Sequence, residues 1–229
     1  MKSVVLSVII PCFNEKDTIE EIIARVKKVR IKKEIIIVDG GSTDGTKEIL
    51  KENLSKKVDK IIYTKTIGKG EAVSKGIKKA TGDIIIIQDA DLEYDPNDYK
   101  KIIKPIIDDK VDVCYGSRFL EKGNSTGYKK NYIANKFLTK LSNFYNKLGV
   151  TDMETCYKAF RADVLQGVTI ESNRFDFEPE ITAKVLKKGV RFAELPISYN
   201  ARAVSEGKKI GWKDGVQAIY TLFKYRFFR

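Results

Sequence analysis

Residues 83–93 read Asp-Ile-Ile-Ile-Ile-Gln-Asp-Ala-Asp-Leu-Glu, an apolar run that ends in three closely spaced carboxylates. A run of isoleucines without polar alternation is typical of a strand buried on both faces of a parallel sheet. Carboxylates repel one another at the end of such a strand. They therefore indicate either a cation-binding site or a polar turn that caps a helix beginning at Pro96.

Strand and helix patterns alternate along the first half of the chain, on both sides of this run. The predicted strands are 4–10, 34–38, 58–63, 83–88 and 111–115. The predicted helices are 19–29, 43–54, 70–80 and 96–109, the first with a capping box at Asp17-Thr18-Ile19-Glu20. This alternation predicts an α/β fold in which a mostly parallel sheet carries helices on both faces. Ligands of such sheets bind at the carboxyl ends of the strands, where the polar clusters 11–15, 39–44 and 89–93 lie.

Basic and helical segments follow Gly116. Residues 122–150 contain six lysines and no acid, and their apolar residues recur at helical spacing. A helix is also predicted near 179–188, a strand over 191–196 and a final helix over 212–229. Because no repeat or low-complexity linker interrupts the pattern, we predict a single domain, 1–229, with a basic C-terminal helical elaboration.

The composition excludes several classes of enzyme. The chain has 229 residues, a formal charge of +12, three cysteines and no histidine. A Ser-His-Asp or Cys-His hydrolase and a His-ligated zinc site are therefore excluded. The widely spaced Cys12, Cys114 and Cys156 form no CxxC pair and predict reduced thiols, as in cytoplasmic proteins.

The acidic cluster after the fourth predicted strand suits a divalent cation. Asp89 and Asp91 are two residues apart, so their side chains point the same way in an extended chain. Both could bind one hard cation, Mg²⁺ or Mn²⁺, and Glu93 could supply a third oxygen.

Two further segments suit parts of a nucleotide. In Asp39-Gly40-Gly41-Ser42-Thr43-Asp44-Gly45-Thr46, Asp39 could hold a ribose or base, and Ser42 or Thr43 could cap the next helix. A capped turn without a ligand explains this segment equally well. In Ile67-Gly68-Lys69-Gly70-Glu71-Ala72, Lys69 and backbone N–H groups at a helix start suit a phosphate.

Taken together, the motifs resemble those of the family 2 glycosyltransferases of GT-A fold. Within that family the chain looks most like the polyprenyl-phosphate glycosyltransferases, such as the dolichol-phosphate mannose synthases. The resemblance is carried by Ser7–Glu15, Ile37–Thr46, Gly68-Lys69-Gly70, Asp89-Ala90-Asp91, Gly116–Phe119, Thr151–Thr155, Tyr157–Arg161 and Glu206–Trp212. It implies a GT-A (Rossmann-like) fold and transfer of a hexose, mannose or glucose, from a GDP- or UDP-linked sugar with inversion at the anomeric carbon.

The resemblance also implies residue roles. Residues 1–120 would form the nucleotide-sugar-binding half and 121–229 the acceptor-binding half. The metal ligands would be Asp89, Asp91 and Glu93, and Asp91, Arg118 and Asp152 would be catalytic. The nucleotide would be bound by Pro11, Asn14, Glu15, Asp39, Gly68, Lys69 and Asp89.

The acceptor determines whether a base is needed. A sugar hydroxyl needs a carboxylate base, for which Asp152 or Glu154 is the candidate. A polyprenyl phosphate already carries an oxyanion near neutral pH and needs cations instead. For that phosphate we expect Arg118, Lys129, Lys130, Arg202 and Lys208, although Lys129 and Lys130, each taken singly, fit a solvated surface better.

The basic, aromatic C-terminal segment, residues 208–229, has two interpretations. Residues 208–229 interleave Lys and Arg with Trp212, Tyr220, Phe223, Tyr225, Phe227 and Phe228. This pattern suits an interfacial helix on an anionic membrane surface or a final helix that packs on the core. No run reaches the about 20 apolar residues of a membrane span, so we expect a cytoplasmic protein, peripheral on the cytoplasmic face of the membrane. The charge also raises a nucleic-acid-binding protein as a remote alternative, but the carboxylates have no role there and we expect no nucleic acid.

Overall fold

The structure is a computed structural model that describes residues 4–65, 68–124, 129–202 and 212–228. Its strands are β1 (Leu6–Cys12), β2 (Lys33–Asp39), β3 (Lys60–Tyr63), β4 (Ile84–Ile87), β5 (Val113–Ser117), β6 (Lys158–Arg161) and β7 (Phe192–Pro196). Its α-helices are α1 (Ile19–Lys28), α2 (Thr46–Ile49), α3 (Lys69–Lys79), α4 (Tyr99–Ile107), α5 (Lys129–Asn146), α6 (Phe177–Leu186) and α7 (Trp212–Phe227). Within α5 and α7, the side chains of residues 129 and 212–214 lie outside the description.

In the described ranges, seven strands form one sheet in the order β3-β2-β1-β4-β6-β5-β7. Only β6 runs antiparallel to its neighbours, β4 and β5. The predicted α/β fold with a mostly parallel sheet is therefore confirmed. The single domain and its two functional halves stay predictions.

Strand β6 was not predicted from the sequence. Its four residues begin and end with charged side chains, Lys158 and Arg161, which hides the strand pattern. Lys158 is nevertheless fully buried. Neighbouring strands on both sides, rather than local hydrophobicity, place this segment in the sheet.

One predicted helix cap and one predicted helix start are wrong, although α1 begins at Ile19 as predicted. Thr18 makes no side-chain capping bond to α1, because its hydroxyl donates to the Glu15 carboxylate at 3.0 Å. The second helix begins at Thr46 rather than Thr43, and continues as a π-helical turn over Leu50–Leu54. The Asp44 carboxylate accepts hydrogen bonds from the amide and hydroxyl of Thr46, so Ser42 and Thr43 do not cap it.

The main hydrophobic core lies around the sheet. Strands β1 and β4 are buried along almost their full length, and α1 packs its apolar face there. A second, smaller cluster joins the C-terminal helices through the buried side chains of Leu138, Val150, Met153, Ala218 and Leu222. None of the helices described here has the length and apolarity needed to cross a membrane.

A buried carboxylate ties three strands together. Glu34 on β2 accepts hydrogen bonds from the Ser7 hydroxyl at 2.6 Å and the Lys60 ammonium at 3.0 Å. It also accepts from the amides of Thr81 and Gly82 in the turn before β4. Burial acts to raise the pKa of Glu34, but these hydrogen bonds outweigh it and lower the pKa to about 2.

We expect Glu34→Gln to lower the free energy of unfolding at pH 7 by about 2 kcal/mol, since the ionised carboxylate is the form that the fold stabilises. In the wild type this contribution is present above the ordinary glutamate pKa, near 4.5, and is lost as the pH falls towards 2. Urea denaturation at pH 7, 4 and 2.5 measures both effects. The exposed Glu52→Gln is the control and is expected to change stability by less than about 0.5 kcal/mol.

Candidate active site

A cavity of about 900 Å³ opens at the carboxyl ends of β1, β2 and β4 and extends between α5 and α7. The predicted site residues that line it are Pro11, Glu15, Gly68, Lys69, Asp89, Asp91, Glu93, Arg118, Lys130 and Arg202. Asn14, Asp39 and Asp152 do not line it, and Lys208 lies outside the described residues. The structure therefore brings residues from both ends of the chain around one cavity.

Three carboxylates, those of Asp91, Glu15 and Glu93, lie close to Arg202, and a fourth, Asp89, precedes Asp91 by two residues in the chain. Its Nη2 donates to Asp91 at 2.9 Å, and its Nη1 lies 3.3 Å from Glu15 Oε2. Glu93 accepts from the Arg202 amide at 2.9 Å and from the Tyr199 hydroxyl at 2.7 Å. Asp89, the fourth, pairs with another cation. The guanidinium thus occupies the centre of the acidic cluster.

The acidic cluster holds Asp91 in an environment that favours its neutral form. Burial first, and then the charges of Asp89 and Glu93, raise the pKa of Asp91 to about 7, and the charge of Arg202 only partly opposes them. A carboxylate with this environment binds any further positive charge favourably. In this structure the positive charge beside Asp91 is the Arg202 guanidinium. A divalent cation would neutralise the same carboxylates, so the charge of the cluster fits such an ion.

The geometry of the cluster is that of an arginine site. In the part of the chain that the structure describes, no group of three or more acidic or cysteine side chains is spaced to hold a metal ion. Asp89, Asp91 and Glu93 would have to converge, and Arg202 to withdraw, for the predicted metal set to form.

Lys69 joins Asp89 to a buried chain of charges that the sequence did not indicate. Its Nζ lies 3.0 Å from Asp89 Oδ1 and 3.0 Å from Glu178 Oε1. The other Glu178 oxygen pairs with Lys158, whose ammonium also donates to the Met153 carbonyl at 2.9 Å. The one sequence signal for Glu178 was an acid between two apolar residues, Phe177 and Pro179.

The glycines around Lys69 have a packing role. A Cβ at Gly68 would lie 2.0 Å from the Asn173 carbonyl oxygen, and one at Gly70 would lie 2.1 Å from that of Ser172. The Glu71 amide donates to Asn173 O at 3.4 Å. The loop before α6 therefore covers the start of α3, where a phosphate was predicted, although Gly68 and Lys69 still line the cavity.

Asn14 and Asp39 shape the loops beside the cavity. The Asp39 carboxylate is fully buried and accepts from the amides of Gly41 and Ser42. Asn14 adopts a positive φ of 53°, accepts from the Thr43 amide at 2.8 Å, and donates its own amide to Ser42 Oγ. These hydrogen bonds hold the turn, and neither residue lines the cavity, while their assignment to the nucleotide stays a prediction.

Arg118 and Asp152 form a buried, bidentate ion pair. Arg118 Nε and Nη2 each lie 2.7 Å from an Asp152 oxygen, and the Arg118 amide donates to Asp152 Oδ2 at 3.0 Å. Asp152 is fully buried. In this structure both of its oxygens are engaged by Arg118 and it does not line the cavity, and its role as a general base stays a prediction.

Glu154, the other candidate base, does line the cavity. Its Oε1 is shielded from solvent and has no hydrogen-bond partner. Burial first, and then the charge of Glu178, raise the pKa of Glu154 to about 7, against the opposing charges of Lys158 and Arg118. Of the two candidates, only Glu154 is placed to meet a bound molecule.

We expect Asp152→Asn to lower the free energy of unfolding by about 3 kcal/mol, because it leaves the buried Arg118 charge without its partner. Thermal or urea denaturation measures this. The control Asp163→Asn removes an exposed partner of Arg161 and is expected to cost less than about 0.5 kcal/mol. A stable Asp152→Asn protein would show that the ion pair does not hold this loop.

Sequence comparison gives relatives along nearly the whole chain. It is 31% identical over 96% of its length to "Dolichol-phosphate mannosyltransferase" of Pyrococcus furiosus, of whose length it spans 64%. It is 25% identical over 89% of its length to "Polyprenol monophosphomannose synthase" of Mycolicibacterium smegmatis, covering 80% of that protein.

Structural comparison gives the same architecture. Glucosyl-3-phosphoglycerate synthase from Mycobacterium tuberculosis, crystallised with Mn²⁺, UDP and phosphoglyceric acid, superposes with a TM-score of 0.76. The alignment covers 99% of this chain and 80% of that one at 18% identity, which shows a shared fold. The model of the Glycosyl transferase family 2 matches residues 7–169. With the fold and the motif order both in agreement, the chain belongs to glycosyl transferase family 2, and the prediction of a GT-A glycosyltransferase is confirmed.

Proposed function

We propose that this chain transfers a hexose, mannose or glucose, from a nucleoside diphosphate sugar to a polyprenyl phosphate, with a divalent cation. The observation that carries the proposal is the pairing of two features in one cavity: a carboxylate cluster at the sheet edge, and basic residues beside it without a free carboxylate base at Asp152. The names of the two sequence relatives support the lipid phosphate as acceptor.

The donor would bind at the edge formed by β1 and β4. Pro11, Glu15, Gly68 and Lys69 line that part of the cavity and are assigned to the nucleotide. Asn14 and Asp39 would act by fixing the loops on which these residues lie. A positive charge at Lys69 suits the diphosphate, since burial opposes its charge but Asp89 and Glu178 hold its pKa well above the usual range.

Asp89, Asp91 and Glu93 would hold the cation, Mg²⁺ or Mn²⁺. When bound, the cation neutralises the charge that develops on the departing nucleoside diphosphate. Binding would require Arg202 to leave the cluster, which frees its guanidinium for another anion. The Mn²⁺ in the structural neighbour supports a divalent ion in this fold.

The acceptor phosphate would meet Lys130, Arg202 and Arg118. The phosphate oxygen forms the new bond to the anomeric carbon while the bond to the diphosphate oxygen breaks on the opposite face, which inverts the centre. A phosphate with a second pKa of about 6 needs no base for this step. A hydroxyl acceptor would need one; of the two predicted bases, Asp152 is held by Arg118, and only Glu154 lines the cavity. Lys208, also assigned to this phosphate, lies outside the described residues.

A membrane surface would present the lipid to the cavity mouth between α5 and α7. Helix α7 packs through Ala218, Thr221, Leu222 and Tyr225, as the core-packing alternative predicted. It also exposes aromatic side chains on its other side, as the interfacial alternative predicted. The large exposed apolar side chains described on the two helices are Tyr132, Ile133, Phe137, Phe144, Val216, Ile219, Tyr220, Phe223 and Phe227. Such a surface suits peripheral binding at the cytoplasmic face.

Nucleotide-sugar binding tests the donor. With Mn²⁺ present, we expect UDP-glucose or GDP-mannose to raise the melting temperature of the wild type by several degrees. At a ligand concentration 100 times Kd the stabilisation is about 2.7 kcal/mol. Asp91→Ala should abolish the Mn²⁺-dependent part of the shift, whereas Asp163→Ala should keep it. A wild type that responds to no nucleotide sugar would refute the proposed donor.

Vesicle binding tests the lipid side. We expect the protein to sediment with vesicles containing anionic lipid, and Phe223→Ser combined with Phe227→Ser to weaken this at least about tenfold, because both rings leave the interface. Ile107→Ser removes an equally exposed apolar side chain on α4 and is the matched control. Equal loss in the control and the double variant would contradict the assignment of this surface.

A further inference from the structure

One acidic residue that lines the cavity has no role in the proposed chemistry. Glu154 lies on the loop between α5 and β6, lines the cavity, and has an Oε1 that is shielded from solvent and makes no hydrogen bond. A buried polar atom without a partner costs folding free energy, so such an atom in a binding cavity indicates a partner that arrives with a ligand.

The charged neighbours of Glu154 are already satisfied by other groups. Those facing it are Glu178, Lys158, Arg118 and Asp152. Lys158 pairs with Glu178, and Arg118 pairs with Asp152. Both of these cations are therefore paired with other carboxylates. Glu154 Oε1 has no hydrogen-bond partner, and a turn of the side chain into the cavity would bring it to a bound molecule.

The chemistry of a carboxyl group selects the kind of ligand. A phosphate oxygen would be repelled by the ionised form of Glu154 and by Glu178 behind it. A sugar hydroxyl suits the position in either protonation state, because it donates to a carboxylate oxygen and accepts from a carboxylic acid.

The position of Glu154 relative to the carboxylate cluster indicates that the sugar is the hexose of the donor. Glu154 faces Glu178, which pairs with Lys69, which pairs with Asp89. Two side chains, Glu178 and Lys69, therefore connect Glu154 to Asp89, the residue assigned to the diphosphate end of the donor. The hexose attached to that diphosphate would therefore lie within reach of Glu154.

We propose that Glu154 is a specificity-determining residue that hydrogen-bonds a hydroxyl group of the donor hexose. This inference rests on the proposed function and adds to it the residue that recognises the sugar. Its burial cost is then offset only when the sugar is bound, as is usual for residues kept for recognition rather than for stability.

Comparing ligands with and without the sugar isolates this contact. Isothermal titration calorimetry with Mn²⁺ would compare UDP with UDP-glucose and GDP with GDP-mannose, on the wild type, Glu154→Leu and Glu154→Gln. We expect Glu154→Leu to bind the nucleotide sugar at least about tenfold more weakly, the loss typical of one hydrogen bond to a charged group, and the nucleoside diphosphate unchanged. Glu154→Gln, which can still hydrogen-bond, should retain most of the affinity.

The melting temperature distinguishes recognition from a structural role. We expect Glu154→Leu to melt at or above the wild-type temperature, since it removes a buried polar group without a partner. Asp163→Leu, an exposed acid on the same half of the chain, is the control for the loss of one negative charge. A lower melting temperature together with equal losses for nucleotide and nucleotide sugar would indicate a structural role and overturn the inference.

Two further outcomes separate this inference from the proposed function. If the wild type binds UDP-glucose or GDP-mannose and Glu154→Leu binds it equally well, the inference fails and the proposed function stands. If the wild type binds neither the nucleotides nor their sugars, the proposed function fails and the inference falls with it.

Discussion

Repulsion among the carboxylates at the end of β4 is the constraint on which the rest of the site depends. Asp89, Asp91 and Glu93 lie within five residues of one another, and Glu15 joins them from the end of β1. Partial burial increases their mutual repulsion, because less water screens it. Among the described residues, two cations offset this repulsion by ion pairing, Lys69 with Asp89 and Arg202 with Asp91. The fold must therefore bring basic residues from distant segments to this edge.

The cations are in turn held by residues far along the chain. Glu178 on α6 orients both Lys69 and Lys158, and Lys158 also holds the loop that carries Glu154. The glycines at the start of α3 allow the backbone before α6 to approach closely enough for these contacts. The donor edge is thus built by the second half of the chain as much as by the first. A change in the loop before α6 would alter the position of the Lys69 ammonium beside Asp89.

The parts of the fold that were predictable carry strong local patterns. Four consecutive isoleucines predicted β4, and the helical spacing of apolar residues predicted α1, whose buried residues are Ile19, Ile22, Ile23 and Val26. Strand β6 was missed because its place depends on pairing with β4 and β5, which four residues with two charges do not reveal. Asp152 was a candidate base by its residue type and by its place in the motif Thr151–Thr155. Its ion pair with Arg118 joins residues 34 positions apart, and no local pattern predicts such a pair.

The sequence alone determined the α/β class, the edge of the sheet where the site lies, and the residue types that face a donor, because these follow from periodicity and from the positions of polar residues after strands. The tertiary structure decided which charges neutralise one another. It placed Arg202 in the acidic cluster and paired Asp152 with Arg118. It also left Oε1 of Glu154, a residue that lines the cavity, without a hydrogen-bond partner. These outcomes depend on distances between segments far apart in the chain, and ionic energies depend on such distances and on burial rather than on sequence spacing.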